Sequence, residues 1–203
     1  MTRAEEITNE IFSLYQRYGN ADYIGEPVSQ LEHMSQSAQL AIEGGYDDEV
    51  VMAAFFHDIG HICMQVPASH SMDGYGVKRH EKFGADYLRH KGLPDRVARL
   101  VENHVQAKRY LTFKFPPYYE NLSDASKKTL EFQGGVMNPQ EALVFEKDPL
   151  FELSILMRKW DEEAKEEFKL VMDLDILKQK CVRLLSISNP TLKLAEQKAI
   201  DNC

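Results

Sequence analysis

The three cysteines of this sequence, Cys63, Cys181 and Cys203, form no CxxC pair and are odd in number. Neither a thiolate zinc site nor a disulfide framework is expected, and a reducing compartment suits the chain. Basic charge is also short, with 24 Lys and Arg against 32 Asp and Glu and a net charge of −8. A general nucleic-acid binder grips phosphates with a basic surface, so a small-molecule substrate is expected instead. There is no run of about 18 apolar residues, and the N-terminal "MTRAEEITNEIFSLYQ" carries acids where a signal peptide needs an apolar core. These absences predict a soluble, cytoplasmic protein without a membrane partner. The 203 residues, 43% hydrophobic and 28% charged, suit one well-buried domain, with no internal repeat or linker.

No convincing strand alternation appears, while apolar residues recur at three and four throughout, which predicts an all-α fold. Ile7, Ile11 and Leu14 share a face of a first helix closing at Gly19. Ser29 stands three residues before Glu32, a capping-box pattern that opens a helix ending at Gly44-Gly45. Asp47 or Asp48 can cap the next helix, read through "EVVMAAFFHDIGH". Helical patterns follow in "GYGVKRHEKFGADYLRHKG" and in "LPDRVARLVENHVQAKRYL", whose Pro94 lies near the first turn. Residues 112–122, "TFKFPPYYENL", read as an irregular aromatic loop of the kind that lines sites. Four more helical patterns run to Ser188, and a short surface helix is expected after Asn189.

Four of the seven histidines, His33, His57, His80 and His104, fall one per helix at separations of 24, 23 and 24 residues. A bundle can bring them together, and imidazole with carboxylate suits iron, manganese or zinc. Asp58 beside His57 sits among Phe55, Phe56 and Ile59. Burying a carboxylate there costs several kcal/mol unless a cation or strong hydrogen bonds compensate. Its two oxygens suit it to bridge two ions. His70 and His90, in polar surroundings, read as surface residues. Lys108 lies one turn after His104 and His61 one turn after His57, and Ser126 and Gln133 are two turns apart. Spacing alone does not select Asp161, which is followed by Glu162 and Glu163.

A histidine on one helix, His-Asp on the next and further histidines downstream resemble the HD-domain superfamily of all-α metal proteins. Phosphate-ester hydrolysis is the common activity there. Further stretches, "NADYIGEPVSQLEH", "HDIGH", "DGYGVKRHEKFGADYL", "NHVQAKRYL", "LSDASKKTLEFQGG" and "MRKWDEEAK", are similar to a narrow oxygenase branch, the 2-amino-1-hydroxyethylphosphonate dioxygenases of the PhnZ family. The similarity spans Asp22 to Lys165. It implies a metal-site core at about 22–165 followed by C-terminal helices at about 166–203. It implies two iron ions, Fe(II)/Fe(III), with O2 as co-substrate, cleaving (R)-2-amino-1-hydroxyethylphosphonate to glycine and phosphate. It implies that His33, His57, Asp58 and Asp161 bind one iron and Asp58, His80 and His104 the other. By the same resemblance Tyr23 matches a gate residue, and Glu26 the carboxylate that receives the substrate amine. Lys108, Ser126 and Gln133 match phosphonate-associated positions, and His61 a histidine behind the ligands or against substrate.

Three alternatives stay open. An N-methylated or trimethylammonium substrate would favour an aromatic cage, for which Tyr75, Phe113, Phe115, Tyr118 and Tyr119 are candidates. A metal-dependent phosphohydrolase would work without O2. A non-catalytic binding module would keep the bundle without turnover.

Overall fold

The computed structural model describes residues 1–23, 25–63 and 71–188. His70, Cys203 and the helix expected after Asn189 lie outside them. Ten α-helices occur among the described residues: α1 Arg3–Tyr18, α2 Gln30–Glu43, α3 Asp48–Phe56, α4 His80–His90, α5 Asp95–Lys114, α6 Pro116–Asn121, α7 Asp124–Phe132, α8 Pro139–Phe145, α9 Phe151–Glu163 and α10 Leu174–Ser188. A 3-10 turn, Ile59–His61, follows α3. None of these helices is long and apolar enough to cross a membrane.

The bundle is organised around α3. Its residues Val50 to Phe56 are all fully buried, which explains why "VVMAAFF" shows no polar face: a helix apolar all round belongs inside. Helices α2, α5, α9 and α10 pack on it. Phe12 and Tyr15 of α1 stack on Phe55 with ring centroids 5.5 and 4.6 Å apart. A second small core joins Ala107, Tyr110 and Leu111 of α5 to Met137, Ala142 and Phe145.

The helix starts follow the capping chemistry. Ser29 and Glu32 form the expected reciprocal box at α2, and Asp47, not Asp48, caps α3 by accepting from the Val50 amide at 3.1 Å. Three boundaries differ from the sequence reading. α3 stops at Phe56, with His57 as its C-cap, and Asp58 lies beyond the helix. α4 begins only at His80, after Arg79 in the left-handed region at φ 61°. Residues 112–122 are not a loop: α5 continues to Lys114 and α6 starts at Pro116. Proline at a helix's first position forfeits no hydrogen bond, so Pro116 opens a helix within the stretch read as a loop.

Candidate metal centre and substrate pocket

His33 lies in the first turn of α2, His57 caps α3, Asp58 opens the 3-10 turn, His80 begins α4, His104 is central in α5 and Asp161 ends a turn of α9. All six are buried. The approach of the 3-10 turn to α4 requires glycine at position 60, because a Cβ there would sit 1.9 Å from the His80 carbonyl oxygen.

The six residues form two halves that share Asp58. On one side Nε2 of His33 and Nε2 of His57 face each other at 3.0 Å. They lie 3.8 and 3.5 Å from Asp58 Oδ2 and 3.3 and 3.8 Å from Asp161 Oδ1. On the other side Nε2 of His80 and Nε2 of His104 face each other at 3.1 Å, 3.2 and 3.5 Å from Asp58 Oδ1.

The hydrogen bonds behind the rings assign the tautomers. Nδ1–H of His33 donates to the Ala164 carbonyl at 2.9 Å, His57 to Ala54 at 2.8 Å, His80 to Val77 at 3.3 Å and His104 to Val101 at 2.6 Å. A neutral imidazole that donates from Nδ1 presents only a lone pair at Nε2. With all four rings neutral, as metal ligation requires, four Nε2 lone pairs would converge on the two oxygens of Asp58. Asp161 Oδ1, buried beside them, has no hydrogen-bond donor. Inward lone pairs on both members of each Nε2 pair repel unless a cation lies between them. The donor set, imidazoles and carboxylates without thiolate, fits first-row metal ions.

Electrostatics points the same way. Burial opposes the charge on Asp58 and Asp161, yet both are held well below the usual carboxylate range, Asp58 chiefly by His57 and His80 and Asp161 chiefly by Arg158. Burial pushes His57 down, and burial with the neighbouring His80 pushes His104 down to about 3. Burial also opposes protonation of His80, but the hydrogen bond to Asp58 and its charge outweigh that. Arg158 answers the charge of Asp161, whereas Asp58 is buried with imidazoles alone as its polar neighbours in the cluster, an environment that a bound cation would stabilise.

His61 is close to this cluster but differs in kind. The Val77 amide donates to its Nδ1 at 3.1 Å, which puts the ring proton on Nε2, 3.9 Å from Asp58 Oδ1. Although His61, His80 and Asp58 are near enough to hold an ion, a protonated Nε2 cannot ligate. His61 is instead an N–H donor, stacked on His80 at 4.1 Å and facing the adjoining pocket.

That pocket is a cavity of about 60 Å³ bounded by Asp58, Asp161, His80 and His104 on the metal side. Tyr23, Glu26, His61, Lys108, Ser126 and Gln133 all line it, so the candidate residues converge. Lys108 is 3% exposed and donates to Thr129 Oγ1 at 2.7 Å and Gln133 Oε1 at 3.0 Å. Burial, then the Arg158 charge, lowers its pKa to about 7. Tyr23 stacks on His33 at 4.0 Å; burial, then the charges of Asp58 and Asp161, push its phenol well above the usual range. Glu26 accepts from Ser123 Oγ at 2.7 Å and pairs with Lys165 Nζ at 2.6 Å.

Four polar residues of this region went unnoticed in the sequence: Ser123, Thr129, Arg158 and Lys165. Arg158 is buried, lines the pocket and pairs with Asp161 Oδ2, with Glu162 at 2.8 Å and with the Tyr118 hydroxyl at 2.9 Å. Its place three residues before Asp161 was the available signal. The five candidates for an aromatic cage, the feature that a trimethylammonium substrate would favour, do not converge. Of the five only Tyr75 lines the pocket. Tyr118 turns to Arg158 and Glu162, Phe113 packs on the second core, and Phe115 and Tyr119 are 53% and 42% exposed.

The HD domain family profile matches residues 31–177. An uncharacterized protein of Acanthamoeba polyphaga mimivirus is 42% identical over 180 residues, covering 89% of this chain and 82% of its own length. The glycine-betaine-forming 1-hydroxy-2-(trimethylamino)ethylphosphonate dioxygenase of Leisingera caerulea is 38% identical over 159 residues, 78% of this chain and 80% of its own. The hydroxymethylphosphonate dioxygenase of Gimesia maris is 36% identical over 176 residues, 85% of each. With a buried His/Asp cluster able to hold metal at the centre of the matched span, the chain belongs to the HD domain family, in its PhnZ-like phosphonate dioxygenase branch.

Proposed function

We propose that this protein is a di-iron dioxygenase that cleaves the carbon–phosphorus bond of a small 1-hydroxyphosphonate. For (R)-2-amino-1-hydroxyethylphosphonate the reaction consumes one O2 and yields glycine and phosphate. The observation that carries the reading is the convergence of four imidazole Nε2 atoms on the two oxygens of one buried carboxylate. His33, His57, Asp161 Oδ1 and Asp58 Oδ2 would hold one ion, and His80, His104 and Asp58 Oδ1 the other. Iron supplies, when bound, the change of oxidation state that reaction with O2 needs and that zinc lacks.

The chain's own groups bind, orient and screen. Lys108 brings a cation to the phosphonate, and Ser126, Thr129 and Gln133 offer hydroxyl and amide partners on the same wall. Arg158 keeps Asp161 turned so that Oδ1 faces the histidines. His61, with its proton on Nε2, hydrogen-bonds a substrate oxygen, while the Val77 amide fixes that tautomer. Tyr23 covers His33 and must give way to substrate, which keeps water from the empty site. Glu26 is the pocket carboxylate outside the ligand set, so an ammonium on the substrate would pair there.

The test is phosphate release from a 1-hydroxyphosphonate with and without O2, by protein loaded with Fe or Mn(II). Release that requires both iron and O2 is expected. No O2-dependent release from the phosphonate, together with anaerobic Mn(II)-dependent release of phosphate from a phosphomonoester, would instead make the protein an HD-type phosphohydrolase.

A further inference from the structure

The two carboxylates of the cluster are held differently. Asp58 faces histidines with both of its oxygens. Asp161 has one oxygen committed elsewhere: Arg158 Nη1 donates to Oδ2, while Oδ1, 3.3 Å from His33 Nε2, has no donor. Which oxygen Asp161 offers to the histidine side therefore depends on where the guanidinium of Arg158 stands.

That guanidinium is fixed by three different groups. Besides Asp161, Glu162 Oε1 accepts from Nη2 at 2.8 Å and the Tyr118 hydroxyl accepts from Nε–H at 2.9 Å. The Tyr118 hydroxyl in turn donates to the same Glu162 oxygen, which closes a ring of three residues. Burial pushes the phenol above its usual range, so the hydroxyl keeps the proton it donates. A planar guanidinium held at all three nitrogens cannot turn without breaking one of these bonds. With its side chain 5% exposed, Arg158 has little water to replace a lost partner. Asp161 and Glu162 stand three and four residues after Arg158 on α9 and move with it. Tyr118 comes from α6, and its ring packs on the second core. It is the partner that ties the guanidinium to the rest of the bundle.

We propose that Tyr118, with Glu162, is a positioning residue for the metal centre: it fixes Arg158, and Arg158 keeps Asp161 Oδ2 occupied so that an ion in the His33/His57 half meets Oδ1. This rests on the reading above only in taking Asp161 as a ligand. Tyr118 stays outside the pocket lining, whereas Arg158 is part of it. The hydroxyl of Tyr118 therefore acts on the centre through Arg158 and not by touching substrate.

The experiment is a double-mutant cycle of the parent, Tyr118→Phe, Arg158→Met and the two together. Its readout is anaerobic Fe(II) titration of each metal-free protein against a competing chelator, with no phosphonate present. Tyr118→Phe removes one oxygen and keeps the ring in the second core. It should weaken ion binding by about tenfold, the scale of one hydrogen bond to a charged group. In the Arg158→Met background the same change should have no further effect, because the group it fixes is gone. Tyr119→Phe, at the neighbouring residue that is 42% exposed, should match the parent. Binding by Tyr118→Phe within about twofold of the parent, an undiminished effect in the Arg158→Met background, or an equal loss in Tyr119→Phe would overturn the proposal. Should Tyr118→Phe fail to fold, Glu162→Gln completes the same cycle, and the same outcomes decide. A parent that takes up a single ion would contradict the two-ion reading, and the cycle would still report on Tyr118; a parent that takes up none would contradict both.

Discussion

In the metal cluster, three of the four inward-facing imidazoles are fixed by a carbonyl only three residues earlier: His57 by Ala54, His80 by Val77 and His104 by Val101. The pocket beside it is fixed by side chains that meet across the fold, Lys108 on Thr129 and Gln133, and Glu26 on Ser123 and Lys165. The first arrangement is local, each ring held by its own turn of chain and buried where it sits. The second depends on how α7 and the segment after α9 dock. Ring orientation should therefore resist changes that leave the helices intact, while substrate contacts should respond to single substitutions on any of several elements.

The sharpest way to break this contrast is at Asp58, which both halves of the cluster share. Asp58→Ala should remove metal from both halves and lower turnover by far more than the roughly 100-fold cost of losing an outer partner. Metal analysis beside a phosphate-release assay checks it. Retention of one metal per chain would mean that the halves are independent.

Arg158→Met comes next, since it frees Asp161 Oδ2 while leaving every proposed ligand in place. Metal affinity should fall by about 10–100-fold, read by competition with a chelator. Gly60→Ala attacks the local construction itself. The added methyl overlaps the His80 carbonyl and should cost about 1–3 kcal/mol, seen as a lowered midpoint in thermal unfolding.

On the pocket side, Lys108 gives a pH dependence of definite sign. Its folded pKa of about 7 lies below the ordinary 10.5, so above pH 7 the amine of the empty site is increasingly neutral. A phosphonate dianion favours the charged form, so binding must take up a proton there. Affinity should fall with rising pH by up to about tenfold per unit, and Lys108→Gln should flatten that limb in calorimetric titrations. For stability the sign is opposite: burial penalises the charged amine below pH 7, and the penalty fades as pH rises toward 10.5. The smallest effect is expected from Thr129→Val, which removes one neutral partner of Lys108. The phosphonate KM should rise a few-fold, in line with about 1 kcal/mol for such a bond.

The same contrast explains what could be read from the chain. Histidines recurring once per helix, and a carboxylate in an apolar run, identify the cluster because each signal is carried within one helix or its cap. Ser29 with Glu32 identified the start of α2 for the same reason. The end of α3 was misread because His57 and Asp58 continue its pattern, although a ligand at a helix end can turn its ring inward without fitting the helical repeat. Lys165 carried no sequence signal, since its partner Glu26 is 139 residues away. The cage residues fit an aromatic wall by type, but docking turned Tyr118 toward Arg158 and left Phe115 outside.

Under the proposed function Asp58 would join two irons whose joint oxidation state changes with substrate and O2. Metal content with Mössbauer and EPR spectroscopy, before and after adding a 1-hydroxyphosphonate, tests it most directly. The account expects two irons per chain and a coupled Fe(II)/Fe(III) signal that substrate perturbs. One zinc per chain, with no spectroscopic response to substrate, would contradict it.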